Sequence, residues 1–375
     1  MLHVYRQVSN LRRVSPVVLA FKREYPDRFP FRDIRLVKRS PFRWLRRIWD
    51  GQIRGAPQQA WPGELRSIRR LLKAENCRLL HVYFGNNGLF WLPFIRQSPI
   101  PVIVSFHGSD AGVNVTSGMA RRLLAELFQS CRVILARSAS LAAALSELGC
   151  SPGKIIIQRT GIPLKLFHYI HRTRPHREAW QILQACRLIE KKGLRSTLRA
   201  FAAFSVRYPH ARLTIAGDGP LRASLERLTV ELGVAENVFF AGFVDQSTLL
   251  TLYQSSHFFI HPSTQGGDGD REGIPNSLLE AMATGLPCLA TVHGGIPEAV
   301  THLKSGILVS ETDCQGISQW LEKLVADDAL RESLGRGAAK AVESSFALGK
   351  QIADLEDIYL TCIDPGAAKA ASKSY

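Results

Sequence analysis

A chain of 375 residues, 46% hydrophobic and 21% charged, has enough apolar material for two domains with separate cores, which excludes a disordered protein. Its formal charge of +16 is unevenly spread: residues 1–165 carry 27 Lys and Arg against 9 Asp and Glu, a net +18, and residues 166–375 carry 21 against 23, a net −2. The first half therefore suits an anionic partner, whether a membrane surface, a phosphorylated lipid or nucleic acid.

Met1 to Arg13 holds no signal-peptide core, no apolar run approaches membrane-spanning length, and no glycine occurs before Gly51. Seven cysteines without a Cys-x-x-Cys pair give neither a zinc site nor a disulfide framework, so a cytoplasmic protein, soluble or peripheral on the membrane, is expected. From Pro16 short apolar runs alternate with helical patterns, which predicts βα units and parallel sheets. Strands are predicted at 16–21, 34–37, 79–83, 101–106, 133–136 and 154–157. In the stretch 42–53, Phe42, Leu45, Trp49 and Ile53 lie near one helical face flanked by Arg43, Arg46, Arg47 and Arg54. That pattern reads either as a membrane-surface anchor or as a helix packed under the N-terminal sheet. There is no nucleic-acid module and no stacking platform of aromatics among the basic residues, so nucleic acid is not an expected partner.

A polar stretch, about 166–180 with Pro175, breaks the pattern and reads as a linker. Strands resume at 181–186, 212–216, 237–241, 257–261, 287–291 and 306–309, and a last helical pattern covers 350–362. The organising stretch is Arg271 to Pro287. A short helix is predicted over 275–285: Pro275 suits its first turn, Asn276 and Ser277 can satisfy free amides, and Gly285 and Pro287 end it. Glu272 is expected in the loop before the first turn and Glu280 two turns in, both facing a crevice at the helix N-terminus that favours anions. Ser277, Glu280 and Thr284 could equally form an ordinary solvated face. The glycine-rich approach Gly266-Gly267-Asp268-Gly269-Asp270-Arg271 follows an apolar strand, and in an open α/β sheet that is where ligands bind.

The segment from Glu272 to Glu280 resembles the Glu-x7-Glu signature of the retaining GT-B-fold glycosyltransferases of family four, and Gly-Asp-Gly-Asp-Arg-Glu-Gly-Ile-Pro is similar to bacterial exopolysaccharide (colanic acid-type) members. The likeness continues through Gly294-Gly295-Ile296-Pro297-Glu298. It implies two Rossmann-like domains facing across a cleft: an acceptor-side domain at 1–165, a nucleotide-sugar-binding domain at 166–349, and a C-terminal helix and tail at 350–375 that packs back toward the first. Cys186-Arg187-Leu188-Ile189-Glu190-Lys191-Lys192-Gly193 is similar to the family's Arg-Leu…Lys-Gly motif, so Arg187 and Lys192 would hold the donor pyrophosphate, a fork and a point charge respectively. By the same resemblance Glu280 would accept from the ribose hydroxyls, and Glu272 with the backbone of Gly273, Ile274 and Asn276 would surround the sugar; Pro275 has no amide to give. Phe106-His107-Gly108-Ser109-Asp110 resembles the family's His-Gly-x-Asp, in which His107 would meet the reacting sugar. Asn86, Asn87 and Gly88 stand at the same sheet edge as candidate acceptor contacts. Gly217-Asp218-Gly219-Pro220 is either an approach to the nucleotide or a tight turn, and Gly242-Phe243-Val244 occupies the place of base contacts.

Two features depart from the family. The glycine-rich loop expected after the first strand is absent, so either the start is truncated, with the first strand missing, or that loop was lost, and Gly161-Ile162-Pro163 replaces the usual Gly-Ile-Asp. Asp268-Gly269-Asp270 is not read as a metal site, because Arg271 beside it competes with a cation, and no metal or cofactor is expected. The resemblance implies a hexosyltransferase that moves a hexose from a UDP- or GDP-hexose to a lipid-linked saccharide with retention, in exopolysaccharide biosynthesis at the inner face of the cell membrane. The rivals are a nucleotide-sugar epimerase on the same scaffold and an inactive nucleotide-binding subunit.

Overall fold

The computed structural model describes residues 2–39, 44, 49–50, 57–108, 118–266 and 272–364. The chain divides into two compact units, Met1–Gly161 with Leu348–Tyr375, and Ile162–Ala347. Counted over these spans, the first unit carries 29 Lys and Arg against 13 Asp and Glu and the second 19 against 19, so the whole net charge resides in the first.

The first unit opens with helix α1 (Leu2–Val8), then β1 (Val18–Ala20) and β2 (Ile34–Leu36), which pair in parallel as a separate two-stranded sheet. Helix α2 (Pro62–Ala74) starts with proline in its first turn, and Glu64 accepts from the Trp61 amide at 2.9 Å, so the turn is closed from within. Next come β3 (Leu80–Tyr83), α3 (Gly85–Ile95), β4 (Val102–Phe106), α4 (Gly118–Ser130), β5 (Val133–Ala136), α5 (Ala139–Glu147) and β6 (Ile155–Ile157). These four strands form one parallel sheet in sequence order, and β4, its all-apolar member but for Ser105, is buried along its whole length. Among the described residues β3 is an edge. A cavity of about 660 Å³, lined by Val18, Leu19, Ile68, Leu80, Val82 and Trp91 among others, lies between that edge and β1.

The second unit runs β7 (Gln181–Ala185), α6 (Leu194–Arg207), β8 (Arg212–Ala216), α7 (Arg222–Glu231), β9 (Val238–Gly242), α8 (Gln246–Ser255), β10 (Phe258–His261), α9 (Asn276–Ala283), β11 (Cys288–Thr291), β12 (Ile307–Val309), α10 (Cys314–Ala326) and α11 (Asp328–Phe346). All six strands are parallel, in the order β12-β11-β10-β7-β8-β9. Both faces are covered, one by Leu198, Phe201, Leu321 and Leu324, the other by Tyr253, Leu278, Met282 and Val342. Each such large side chain contributes about 1.5–3 kcal/mol by leaving water, an upper figure against an extended chain.

The observed strands fall within a residue or two of the twelve predicted. The stretch at 166–180, expected as a linker, lies inside the second unit: Phe167 is fully buried, and Arg172 donates to the carbonyls of Ile170, Tyr253, Ser256 and Thr284. Its polar composition hid a half-buried guanidinium that ends helices α8 and α9. The final helix α12 (Leu348–Ile363) belongs to the first unit, where Leu355, Tyr359 and Cys362 pack with Ile103 and Leu135, and Glu356 accepts from the Arg12 and Arg13 amides at 2.6 and 2.5 Å.

Candidate active site

In the second unit the chain leaves β7 for β8 on one side and returns on the other side as β10. This reversal of strand order opens a crevice beyond the carboxyl ends of β7 and β10, where α/β sheets bind ligands. Loop 186–193, residues 262–266 and 272–275, and loop 292–295 emerge there.

The first of these carries Arg187 and Lys192. Arg187 is exposed just past β7, while Lys192 is only 8% exposed. Gly193, at φ 63°, lets the loop press against β10's end; a Cβ would collide with the Pro262 carbonyl. The Lys192 carbonyl accepts from Gln184 Nε2 at 2.9 Å and the Lys191 carbonyl from the Thr264 amide at 3.0 Å. The loop is therefore fixed, and its ammonium is aimed by tertiary contacts. Lys192 Nζ donates to the carboxylate of Glu272 in an ion pair whose side chains are 10% and 11% exposed.

Glu272 is pinned through its backbone. Its amide donates to His293 Nε2 at 3.1 Å, and His293 Nδ1 in turn donates to Glu311 at 2.7 Å. Its carbonyl accepts from the Gly295 amide at 3.1 Å, and Gly294, at φ 54°, leaves room for that carbonyl where a Cβ would not. The Gly294-Gly295 pair is thus a platform for the Glu272 loop. Burial alone raises the Glu272 carboxyl; the Lys192 charge and the Lys192 hydrogen bond outweigh it and hold the carboxyl below its ordinary range. Fully buried His261, at the end of β10, is pushed down to about 3 by burial and then by Lys192, so it is a neutral wall beside the pair.

Helix α9 begins one residue later than expected: Pro275 is its N-cap and, among the described residues, no side chain caps it. The role given to Asn276 and Ser277 as caps does not hold, because both lie inside the first turn. The uncapped start leaves amides and the helix dipole directed at the crevice, beside Gly273 and Ile274. Glu280 lies one turn into α9 and is 5% exposed, with Tyr253 Oη donating to it at 3.3 Å and to the Ser277 carbonyl at 3.1 Å. Gly217-Asp218-Gly219-Pro220 is stitched to the Arg187 loop by the Leu188 amide on the Asp218 carbonyl at 3.0 Å, and the Gly217 amide reaches Gly242 at 2.7 Å. Phe243 beyond it is 69% exposed.

In the first unit His107 follows β4, hydrogen-bonded through Nε2 to Ser105 Oγ at 3.0 Å. Its ring packs on Phe84 at 4.3 Å and on His3 of α1 at 4.9 Å. Phe84 holds a positive φ of 73°, a strained conformation for an aromatic residue, at the end of β3. Burial first, then Arg137, push His107 well below the ordinary imidazole range and His3 to about 3, so both stay neutral. Asn86, Asn87 and Gly88 form the first turns of α3 and no loop, and the Asn87 amide is spent on the Tyr83 carbonyl at 2.8 Å. Gly88 is buried against Val104 and Leu127. Ser109, Asp110, Asp268, Asp270, Arg271 and most of 42–53 lie outside the described residues; Trp44 and Trp49 in that stretch are exposed.

The second unit thus joins Lys192, Glu272, Glu280 and the α9 start, with Arg187 on the same loop as Lys192. Sequence reasoning did not find Tyr253, His261, His293 or Glu311. His293 directly precedes the Gly294-Gly295 pair and could have been read with it; the other three carry no local signal.

Among the described residues no helix is long and apolar enough to cross a membrane, and no cluster of three His, Cys, Asp or Glu side chains could hold a metal. The family model described as Glycosyltransferase Family 4 matches residues 3–166, and that described as Glycosyl transferases group 1 matches 170–341. The putative colanic acid biosynthesis glycosyltransferase WcaL of Salmonella typhimurium is 31% identical over 67% of this chain and 62% of its own length. The amylovoran biosynthesis glycosyltransferase AmsK of Erwinia amylovora is 32% identical over 65% and 60%. The chain therefore spans about three fifths of the length of these curated relatives. Among solved structures, Anabaena HepE in complex with UDP superposes with a TM-score of 0.75 at 16% identity over 96% of this chain and 95% of that one. Sucrose-phosphate synthase from Thermosynechococcus elongatus gives 0.70 at 20% over 88% and 82%. With two parallel α/β units, a Glu-x7-Glu helix at the switch point of the second and family matches across both, the chain belongs to the family-four glycosyltransferases of GT-B fold.

Proposed function

We propose that this chain is a retaining hexosyltransferase that takes a hexose from a nucleoside diphosphate sugar and delivers it to a lipid-linked saccharide during exopolysaccharide assembly. The observation that carries this reading is the Lys192–Glu272 ion pair beside the start of α9 at the switch point of the second unit, with Glu280 buried one turn into the same helix. Lys192, Arg187 and the α9 amides supply the positive end that a departing diphosphate needs, already oriented before reaction, where one such donor is worth about 10²–10³ in rate. Glu280, held by Tyr253, accepts from a ribose diol. Glu272 accepts from sugar hydroxyls. Neutral His107 in the first unit is suited to hydrogen-bond an uncharged sugar hydroxyl and carries no charge to repel Lys or Arg. Retention follows from a front-face route in which the leaving phosphate oxygen takes the proton of the acceptor hydroxyl as the new glycosidic bond forms on the face the phosphate vacates.

Support for the polysaccharide setting comes from relatives named for colanic acid and amylovoran biosynthesis. Support for a lipid-borne, anionic acceptor at a membrane surface comes from the concentration of positive charge in the first unit and from exposed Trp44 and Trp49. The test is calorimetric titration with UDP, GDP and ADP, repeated on Glu280→Ala and Lys192→Ala. Binding of one nucleotide, lost in both variants, is expected; a folded protein that binds none refutes the reading. Incubation with the matching nucleotide sugar alone should leave it unchanged, whereas epimerisation would make the chain an epimerase.

A further inference from the structure

Lys192 and Glu272 are assigned above to opposite ends of one donor molecule, the diphosphate and the sugar, yet the two side chains are bonded to each other. Neither backbone is free to shift. Lys192 is tied by Gln184 and wedged by Gly193 against Pro262, and Glu272 is held between His293 and Gly295. Any change at the pair is therefore a change of side-chain rotamer. The surroundings also make the pair costly to leave half-made: both groups are nearly buried, and the adjacent His261 imidazole is neutral and fully enclosed.

A nucleoside diphosphate entering alone must share Lys192 with a carboxylate, so its phosphate is placed beside a like charge. A nucleotide sugar brings hydroxyl groups that donate to Glu272 and draw it off the ammonium, so phosphate and carboxylate each keep a partner. We infer that Glu272 is a specificity residue that locks Lys192 until a sugar arrives, and that it recaptures Lys192 once the sugar has left, expelling the nucleoside diphosphate. This rests on the donor-site reading given above and deepens it: the site discriminates between donor and spent product by whether Glu272 has a sugar to hold.

The test compares affinities of UDP, GDP and ADP with those of UDP-glucose, GDP-mannose and ADP-glucose for the full chain and for Glu272→Gln, with inorganic pyrophosphate as a base-free probe. In the wild type the nucleotide sugar of the cognate base binds more tightly than its diphosphate. In Glu272→Gln the diphosphate and pyrophosphate should tighten by about tenfold or more, the step expected when a partly buried cation loses its internal partner, and the preference for the sugar form should collapse. Glu272→Ala, which cannot crowd the loop, should do the same. A diphosphate that binds the variants no more tightly than wild type overturns the lock while leaving the donor site in place. A folded wild type and variants that all fail to bind any of these nucleotides overturn both readings together.

Discussion

The two units of this molecule are built from the same kind of βα repeat and differ in where each keeps its resources. The second has no net charge and one unbroken six-stranded sheet, with the strand-order reversal in its middle. The first holds the entire net charge of +16 and splits its strands between a four-stranded and a two-stranded sheet. An unbroken sheet fixes the loops at its carboxyl edge to within the tolerance of hydrogen bonds, which donor chemistry requires. A charged surface attracts without needing such precision.

The comparison breaks most sharply at Lys192. Lys192→Ala should lower transfer by about 10²–10³ and abolish nucleotide binding by calorimetry, because it removes the fixed cation and leaves Glu272 buried without a partner. An effect below tenfold would mean that the second unit does not owe its binding to this geometry. His107→Ala should leave nucleotide affinity as it is and lower transfer, by about 10² if its hydrogen bond is made at the reacting sugar; a parallel loss of nucleotide affinity would break the division of labour between the units.

Acid should separate the units. His3, His81 and His107 are held neutral in the first unit, chiefly by burial, the first two at about 3, whereas the second unit has His261 at about 3 and His257 at about 4. Their pKa values are lowered in the folded state, so below the ordinary 6.5 the unfolded chain binds more protons and stability falls as pH drops from 6.5 toward 3. Each histidine costs at most about 1.4 kcal/mol per pH unit across that window. With three such groups and all the net charge, the first unit should lose amide protection at higher pH than the second; simultaneous loss in hydrogen exchange would contradict this. The smallest expected effect is at the surface: anionic vesicles should retain the chain at low salt and release it near 0.5 M, about where screening shortens to a few ångströms, and Trp44→Ser with Trp49→Ser should weaken retention only a few-fold.

Much of the architecture was legible because strand and helix in an α/β protein announce themselves by short apolar runs and flanking breakers. The carboxylate-bearing helix was legible too, through Pro275, Gly285 and the Glu272–Glu280 spacing. Where reading failed, the cause was a partner distant in the chain. Arg172 looked like linker polarity because its acceptors lie at Tyr253, Ser256 and Thr284, 81 to 112 residues away. Tyr253 was not singled out in the sequence, and only packing against α9 makes it the hydrogen-bond partner of Glu280.

Local chemistry was enough to settle the alternation of elements, the two-unit organisation, the charge asymmetry and the short helix that carries Glu280, since each depends on neighbours within a few positions. Tertiary structure alone decided that Lys192 meets Glu272, that His293 and Glu311 hold the Glu272 loop, and that His107, His3 and His261 are neutral. Those outcomes depend on burial and on contacts between strands far apart in the chain, and no periodicity or spacing records which side chain a folded sheet will bring within reach of another.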